Sequence, residues 1–212
     1  MKKVFKIIYE LRYYLLSIFI LTLIVSILNA FLILRSIPWY FSFIMSFGST
    51  ILVIILDGFT ASIIHHLPKD KVKPEKFKER KNEARFFNFI KIRKWKDKIP
   101  EIGELTCDFS KSSINDPNDP EYVYQFLVEM GYAEVIHVAS CFVGILIAIP
   151  LLVFSILSIL PWYSMLSISL VIIIINTIYN MLSALIQRYN RPKLYRVYLR
   201  QIQKKKEVRS KN

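Results

Sequence analysis

The sequence predicts an all-α membrane protein with four transmembrane helices, arranged as two hairpins that are joined by a cytoplasmic loop with interfacial helices. Three observations predict this fold class. Long apolar stretches recur along the chain, basic residues cluster between and after them, and a short Pro-Trp-Tyr turn separates the two stretches of each pair. Because a backbone in lipid must satisfy its own hydrogen bonds, apolar stretches of this length form helices.

The four predicted spans are residues 13–34, 39–62, 135–160 and 163–186. The first, YYLLSIFILTLIVSILNAFLIL, has no charged residue over 22 positions. That length crosses a hydrocarbon core of roughly 30 Å at about 1.5 Å per residue. The stretch is too long for a cleaved signal peptide and has no small-residue cleavage site, so we interpret it as a retained signal anchor.

The basic residues indicate an orientation. Lys and Arg number 4 in residues 1–12, 14 in residues 66–132 and 10 in residues 188–212, with 1 more at Arg35. The positive-inside rule then places the N-terminus, the central loop and the C-terminus in the cytoplasm, and the protein in the cell membrane as a multi-pass protein. Attraction to anionic lipid headgroups explains the net charge of +13 without a nucleic-acid partner.

Four segments follow from this pattern: an N-terminal hairpin (1–65), a cytoplasmic or interfacial loop (66–132), a C-terminal hairpin (133–187) and a basic interfacial tail (188–212). Within the loop, residues 84–99 alternate large apolar side chains with Lys and Arg, which is typical of an interfacial element. Residues 122–130 predict a short helix that leads into the third span. Asn190 and Pro192 predict the cap and first turn of a separate tail helix.

Several classes of chemistry are absent from the sequence. Cys107 in the loop and Cys141 in a predicted span provide no disulfide framework. With 5 glycines and 3 histidines in the chain, we find no glycine-rich phosphate loop, no zinc-ligand spacing and no Ser-His-Asp order. A single Glu-x-x-His motif is too little for a carboxylate-bridged di-metal oxidase, so no metal site is predicted.

Polar residues inside the predicted spans are informative, because each costs free energy there unless it is paired or hydrated. Those that share a helix face are Asn176, Asn180, Ser183 and Gln187 on the fourth span, and Glu134, His137 and Cys141 on the third. Asp57 lies on the second span. A polar cavity open to the cytoplasm would explain them. Hydrogen bonds between helices, or an ion pair of Asp57, would explain them equally without a catalytic role.

Glu134 and His137 form the most specific of these pairs. They are three residues apart and face the same side of a helix, so the carboxylate can orient the imidazole ring and increase its basicity. A general base has this arrangement. Glu129 adds a second acid at the start of the same stretch. We interpret His65 and His66, at the end of the second span, as interfacial histidines without a catalytic role.

Three stretches resemble a known family: IRKWKDKIPEIG (92–103), EMGYAEVIH (129–137) and QRYNRPKL (187–194). They are similar, in the same order, to motifs of the glycosyl-4,4'-diaponeurosporenoate acyltransferases. These small integral membrane enzymes attach a fatty acyl group to a sugar hydroxyl of staphyloxanthin-type carotenoids. The resemblance extends from about Leu67 to the C-terminus. The chain differs from the shorter members by an extra N-terminal span, by a longer loop and by a histidine at position 66.

The resemblance implies a membrane-bound O-acyltransferase that moves a fatty acyl group from a thioester donor to a hydroxyl of a glycolipid or other lipid acceptor at the cytoplasmic face. The donor is acyl-CoA or an acyl carrier, and no further cofactor is expected. The candidate catalytic residues are His137, Glu134, Glu129 and Asn180. The candidate substrate-binding residues are Arg188, Asn190, Arg191, Gln187, Arg93, Trp95 and Asp57.

Each role has a chemical reason under this interpretation. His137 would accept the proton of the attacking hydroxyl, and Asn180 or Gln187 would donate a hydrogen bond to the oxyanion. Guanidinium groups bind phosphate in a bidentate manner, so the arginines suit the donor's phosphates. Positive-inside anchoring alone is the alternative explanation of the arginines. The alternative function is a non-enzymatic membrane scaffold or a lipid-binding accessory subunit, and the oligomeric state is open.

Overall fold

The computed structural model describes residues 38–76, 80–99, 116–157 and 162–211, together with isolated positions between 16 and 31. Within these residues the α-helices are α1 (Trp39–His65), α2 (Glu83–Phe89), α3 (Pro120–Ser140), α4 (Val143–Ile156) and α5 (Trp162–Lys211). Short 3-10 helices occupy Lys69–Lys71, Pro74–Lys76, Ile92–Lys94 and Lys96–Lys98. This part of the chain contains no β-strand, which confirms the all-α class.

Three helical stretches are long and apolar enough to cross a membrane: Tyr40–His65, Pro120–Val153 and Met165–Val208. They overlap the second, third and fourth predicted spans. The first predicted span, residues 13–34, lies mostly outside the described residues, and so do Cys107 and the turns at 35–37 and 158–161. The first predicted span and so the count of four spans, the hairpin arrangement and the orientation therefore stay predictions.

Helix α3 begins at a well-defined cap. The carboxylate of Asp119 accepts hydrogen bonds from the backbone N–H of Glu121 at 3.0 Å and of Tyr122 at 3.3 Å. Pro120 takes the first helical position, where a missing N–H leaves no hydrogen bond unmade. From this start α3 includes residues 122–130 and continues into the third predicted span, which confirms the predicted helix, although it is longer than expected.

The predicted third span is interrupted near its start. Helix α3 ends at Ser140, a turn occupies residues 141–142, and α4 continues from Val143 to Ile156. Gly144 allows α4 to pack closely on α5, because a Cβ at this position would lie 3.2 Å from the Cβ of Asn176 and 3.2 Å from the Cα of Ile173. A side chain here would push the two helices apart.

Helix α5 has 50 residues and is about 75 Å long at about 1.5 Å per residue. Pro192 lies inside it, so the prediction of a separate tail helix capped by Asn190 was wrong. A proline removes only one backbone donor from a helix. The flanking Arg191 and Leu194 are buried, and we attribute the continuity of α5 to this packing on both sides of the proline.

The chain forms two compact units. The first unit comprises residues up to 62 and residues 137–181, and the second comprises 63–136 and 182–212. The core of the first unit contains Val53, Val143, Ile147, Leu151, Met165, Ile168 and Ile172. The second unit has one cluster of Val123, Phe126, Leu127, Met130 and Leu194 and another of Phe87, Ile92 and Tyr189. Helices α1, α3 and α5 contribute residues to both units.

Within the second unit, the chain turns sharply after α2. Lys91 adopts a left-handed conformation with φ 51° and ψ 42°, and its N–H donates to the carbonyl of Asn88 at 3.2 Å. The turn brings Ile92 into the cluster with Phe87 and Tyr189. The segment that the sequence predicts as interfacial is therefore a short helix followed by two 3-10 turns, and its position at a membrane surface stays a prediction.

Candidate functional site

A polar cluster in the first unit is centred on the side chain of Asn180. Its Oδ1 lies 3.0 Å from Nδ1 of His137. Its Nδ2 faces three acceptors, Oδ2 of Asp57 at 3.3 Å, Oδ1 of Asn176 at 2.9 Å and the carbonyl of Asn176 at 3.2 Å. The described chain thus brings together an imidazole from α3, a carboxamide from α5 and a carboxylate from α1.

Asn176 fixes this cluster from one helical turn away. Its Nδ2 donates to the carbonyl of Ser140 at 2.6 Å, and its Oδ1 accepts from Asn180. Next to it, the hydroxyl of Thr177 donates to the carbonyl of Cys141 at 3.3 Å. Two residues of the sequence-predicted stripe on α5, Asn176 and Asn180, therefore bond to the end of α3, and both are buried.

The hydrogen-bond pattern favours one tautomer of His137. Asn180 is oriented with its amide hydrogens toward the carboxylate and the second asparagine, which leaves its oxygen toward the ring. Nδ1 of His137 therefore donates to Asn180, and the lone pair of the neutral ring lies on Nε2. A half-buried imidazole in this tautomer can accept a proton at Nε2.

Asp57 occupies the far side of the cluster. One carboxylate oxygen accepts from Asn180, whereas Oδ1 is buried and makes no hydrogen bond within the part of the chain that the structure describes. The buried hydroxyl of Ser140 is in the same situation. Asp57, which the sequence offers as a substrate-binding residue or an ion-pair partner, is thus placed where it polarises the carboxamide that holds His137.

The second unit contains a buried ionic cluster. The guanidinium of Arg191, whose side chain is 1% exposed, donates from Nη1 to Oε2 of Glu134 at 2.7 Å. Its Nη2 donates to the carbonyl of Val72 at 3.3 Å. Gly131, one turn before Glu134 on α3, leaves the space for this guanidinium, since a Cβ there would overlap Nη2.

Arg188 joins the same cluster from one turn earlier on α5. Its Nε and Nη2 both donate to Oε1 of Glu83, at 3.0 and 2.7 Å, and its Nη1 lies 3.7 Å from Oε1 of Glu134. Glu83 belongs to the first turn of α2. The cluster therefore connects α2, α3 and α5 by alternating charges, which satisfies groups that would be costly to bury alone.

These contacts give Arg188, Arg191 and Glu134 partners that the sequence did not predict. The two arginines bind carboxylates of the chain itself, although the motif suggested phosphate. The carboxylate of Glu134 is held by arginines, whereas the described contact on Nδ1 of His137 comes from Asn180. That Glu134 orients His137 stays a prediction.

A separate group of cations surrounds the ring of Tyr189. Nε of Arg93 donates to the Tyr189 hydroxyl at 2.8 Å, and Nζ of Lys193 lies 3.1 Å from the centre of the ring. Tyr189 is itself buried and packs edge-on against Phe87 at 5.3 Å between ring centres. Arg93 and Lys193 are exposed.

Four other candidate residues belong to this unit: Trp95, Gln187 and Asn190, which were predicted to bind substrate, and Glu129, which was predicted to be catalytic. The indole N–H of Trp95 donates to the carbonyl of Ile90 at 2.9 Å, so this ring supports the turn after α2. Gln187 is buried, and Asn190 and Glu129 are half-buried.

A comparison with protein-family models decides the family. The model for glycosyl-4,4'-diaponeurosporenoate acyltransferase matches residues 68–200, which is more than half of the chain. The chain belongs to this family. The family name denotes an acyltransferase of carotenoid biosynthesis. No curated protein and no solved structure matches the chain.

The matched region includes His137, Asn180 and the residues of the ionic cluster. Asp57 precedes the matched region. Sequence reasoning missed Glu83, Val72 and Tyr189 as contributors to these clusters. Glu83 carried a weak signal as an acid within a strongly basic loop, and Tyr189 lies within the family-like stretch QRYNRPKL. Among the described residues, no group of three or more His, Cys, Asp or Glu side chains is placed to hold a metal ion.

Proposed function

We propose that this protein is a membrane-bound acyltransferase that moves a fatty acyl group from a thioester donor to a hydroxyl group of a lipid acceptor. The observation that carries the proposal is the hydrogen bond between Nδ1 of His137 and Oδ1 of Asn180 in a member of an acyltransferase family. It favours the tautomer that a general base needs.

In the proposed reaction, Nε2 of His137 accepts the proton of the acceptor hydroxyl as the oxygen attacks the thioester carbonyl carbon. The tetrahedral intermediate then breaks its carbon–sulfur bond. The departing thiolate takes the proton from the imidazolium, which leaves an ester, a free thiol and a neutral ring. General-base catalysis of this kind contributes about 10²–10⁴-fold to a rate.

Asn180 and Asp57 act in this proposal as positioning residues. Both amide hydrogens of Asn180 already face acceptors within the chain, so its role is to orient the ring. If Asn180 donated to the oxyanion instead, it would lose its hydrogen bonds to Asp57 and Asn176. The charge of Asp57 polarises the amide and stabilises the imidazolium that forms in the transition state, as a carboxylate does more directly in the hydrolase triads.

The family name and the apolar surface support a lipid acceptor. Helix α1 exposes Ile44, Ile51, Ile55, Phe59 and Ile63, which suits contact with lipid chains. A glycosylated carotenoid or another glycolipid in the membrane is the proposed acceptor, and coenzyme A or an acyl carrier is the proposed donor. We place the reaction at the cytoplasmic face of the cell membrane, because the cationic segments lie there under the positive-inside rule.

The experiment compares wild type, His137→Ala and Asn180→Leu in cells that produce a glycosylated diaponeurosporenoate. Lipid mass spectrometry detects an acceptor that has gained one fatty acyl group, and purified protein is assayed for thiol release from a fatty acyl-CoA. We expect His137→Ala to lower the rate at least about 100-fold. We expect Asn180→Leu to lower kcat while KM for the donor changes little, because the loss is in positioning.

The matched control is His66→Ala, which removes an exposed histidine outside the polar cluster. This variant should retain wild-type activity, and all variants should elute as folded protein in size-exclusion chromatography. Full activity of folded His137→Ala would remove this residue from the mechanism. If wild type forms no acylated lipid and releases no thiol, the scaffold or accessory-subunit alternative becomes the better explanation.

A further inference from the structure

Four cations of the second unit fall into two chemical classes. Arg188 and Arg191 are paired with the carboxylates of Glu83 and Glu134. Arg93 and Lys193 have no carboxylate partner among the described residues, and both converge on the side chain of Tyr189. Two like charges that are held around one ring repel each other, and a bound anion would remove this repulsion.

Tyr189 holds the two cations in place before any ligand arrives. It is 8% exposed and belongs to a cluster with Phe87 and Ile92. Its hydroxyl takes the Nε donor of Arg93, while its ring faces the ammonium of Lys193. A cation that is already oriented loses less conformational entropy on binding than a free surface side chain does.

The N–H groups of Arg93 and Lys193 that do not contact Tyr189 suit a phosphate group. Arg93 uses Nε on the tyrosine, and within the described chain its terminal amino groups make no further hydrogen bond. Two such N–H groups match two oxygens of a phosphate, and Lys193 adds a point charge with several donors. No apolar ligand would be attracted to such a pair of charges.

We propose that Arg93 and Lys193, held by Tyr189, form a binding site for a phosphate group of the acyl donor. The inference deepens the proposed function and rests on it for the identity of the donor, because coenzyme A carries a phosphomonoester and a diphosphate. The headgroup of an anionic phospholipid offers the same chemistry. Arg188 and Arg191, whose charges are neutralised within the chain, are not part of this site.

The test measures binding without turnover. Coenzyme A, which has no acyl group, is titrated into purified full-length protein in neutral detergent by isothermal calorimetry, in the His137→Ala background. Arg93→Gln and Lys193→Gln are each expected to weaken binding roughly tenfold or more, as the loss of a charged hydrogen bond does. Tyr189→Phe, which keeps the ring but loses the hydroxyl, should weaken binding less.

The matched control is Arg200→Gln. It removes the same charge from an exposed position two turns beyond Lys193 on α5 and should leave the affinity unchanged. A second arm measures the partition of each protein onto vesicles of phosphatidylcholine with and without phosphatidylglycerol. This arm separates a lipid headgroup from the donor's phosphate.

Each outcome decides the proposal. Weaker binding of coenzyme A by the Arg93 and Lys193 variants, but not by Arg200→Gln, supports the site. An effect on phosphatidylglycerol vesicles alone would overturn its assignment to the donor. Equal affinities in all variants, or no binding of coenzyme A by wild type, would overturn the site. If the wild-type protein transfers acyl groups while the Arg93 and Lys193 substitutions leave coenzyme A binding unaffected, the site is rejected and the proposed function stays intact.

Discussion

Replacement of Gly131 by alanine tests the packing of the ionic cluster most directly. A Cβ at this position would lie 2.8 Å from the carbonyl oxygen of Val72, 3.1 Å from the Cβ of Val72 and closer still to Nη2 of Arg191. The carbonyl cannot retreat without a backbone movement, and it also accepts the hydrogen bond from Arg191. Val72 is itself buried at 1% exposure.

The expected cost has two parts. Overpacking of a filled interior costs about 1–3 kcal/mol. If the guanidinium moves far enough to leave Glu134 without its partner, the loss of a buried pair adds about 3–5 kcal/mol. For a chain of this size each kcal/mol lowers Tm by about 2–4 °C, so even the first part predicts a fall of several degrees.

The assay is thermal unfolding in one detergent at one scan rate, because unfolding of a membrane protein is often irreversible and Tm then depends on the rate of heating. Gly48→Ala is the matched control, since no atom lies within 4 Å of its added Cβ. In a helix interior this change should stabilise by about 0.5–1 kcal/mol. Equal Tm values for the Gly131 and Gly48 variants would refute the packing argument.

Two further predictions concern the second unit. Arg191→Met should destabilise by about 3–5 kcal/mol, because Glu134 then loses its buried partner, and a Glu134→Leu/Arg191→Met double variant should recover much of this loss. Thermal unfolding checks both, and additive losses would contradict the pairing. Lys91→Val should be less stable than Lys91→Gly by about 1–2 kcal/mol, because a left-handed backbone strains a side chain with a Cβ. The same melting curves measure this difference, and equal Tm values would speak against the left-handed turn.

The helices could be predicted from the sequence because they depend on local patterns. The apolar stretch 39–62 became α1, Trp39–His65, with an error of three residues at one end. The spacing of Asn176 and Asn180 correctly predicted a shared polar face, since a helical period fixes which residues lie one turn apart. Asn190 and Pro192 predicted a helix boundary by the same local reasoning, and this failed because buried neighbours hold α5 together across the proline.

The partners of the polar residues could not be predicted in the same way. Arg191 bonds to Val72, 119 residues earlier in the chain, and to Glu134, 57 residues earlier. No periodicity encodes such pairings, because they depend on how separate helices pack. The sequence predicts Glu134 and His137 as partners because they are close along the chain. The contacts described for them lead instead to Arg191 and to Asn180, each on α5.

The basic residues differ in how much charge they can offer a ligand. On sequence alone, Arg93, Arg188 and Arg191 have the same two explanations, binding of the donor's phosphates and attraction to the cytoplasmic headgroups. The structure separates them by their partners: Arg191 is buried against a carboxylate, Arg188 bridges two carboxylates, and Arg93 is exposed beside a tyrosine. A cation that is neutralised within the protein has little charge left for a ligand. The position of acidic side chains therefore determines which basic residues can bind a phosphate, and in this chain it favours Arg93 over the two arginines of the motif.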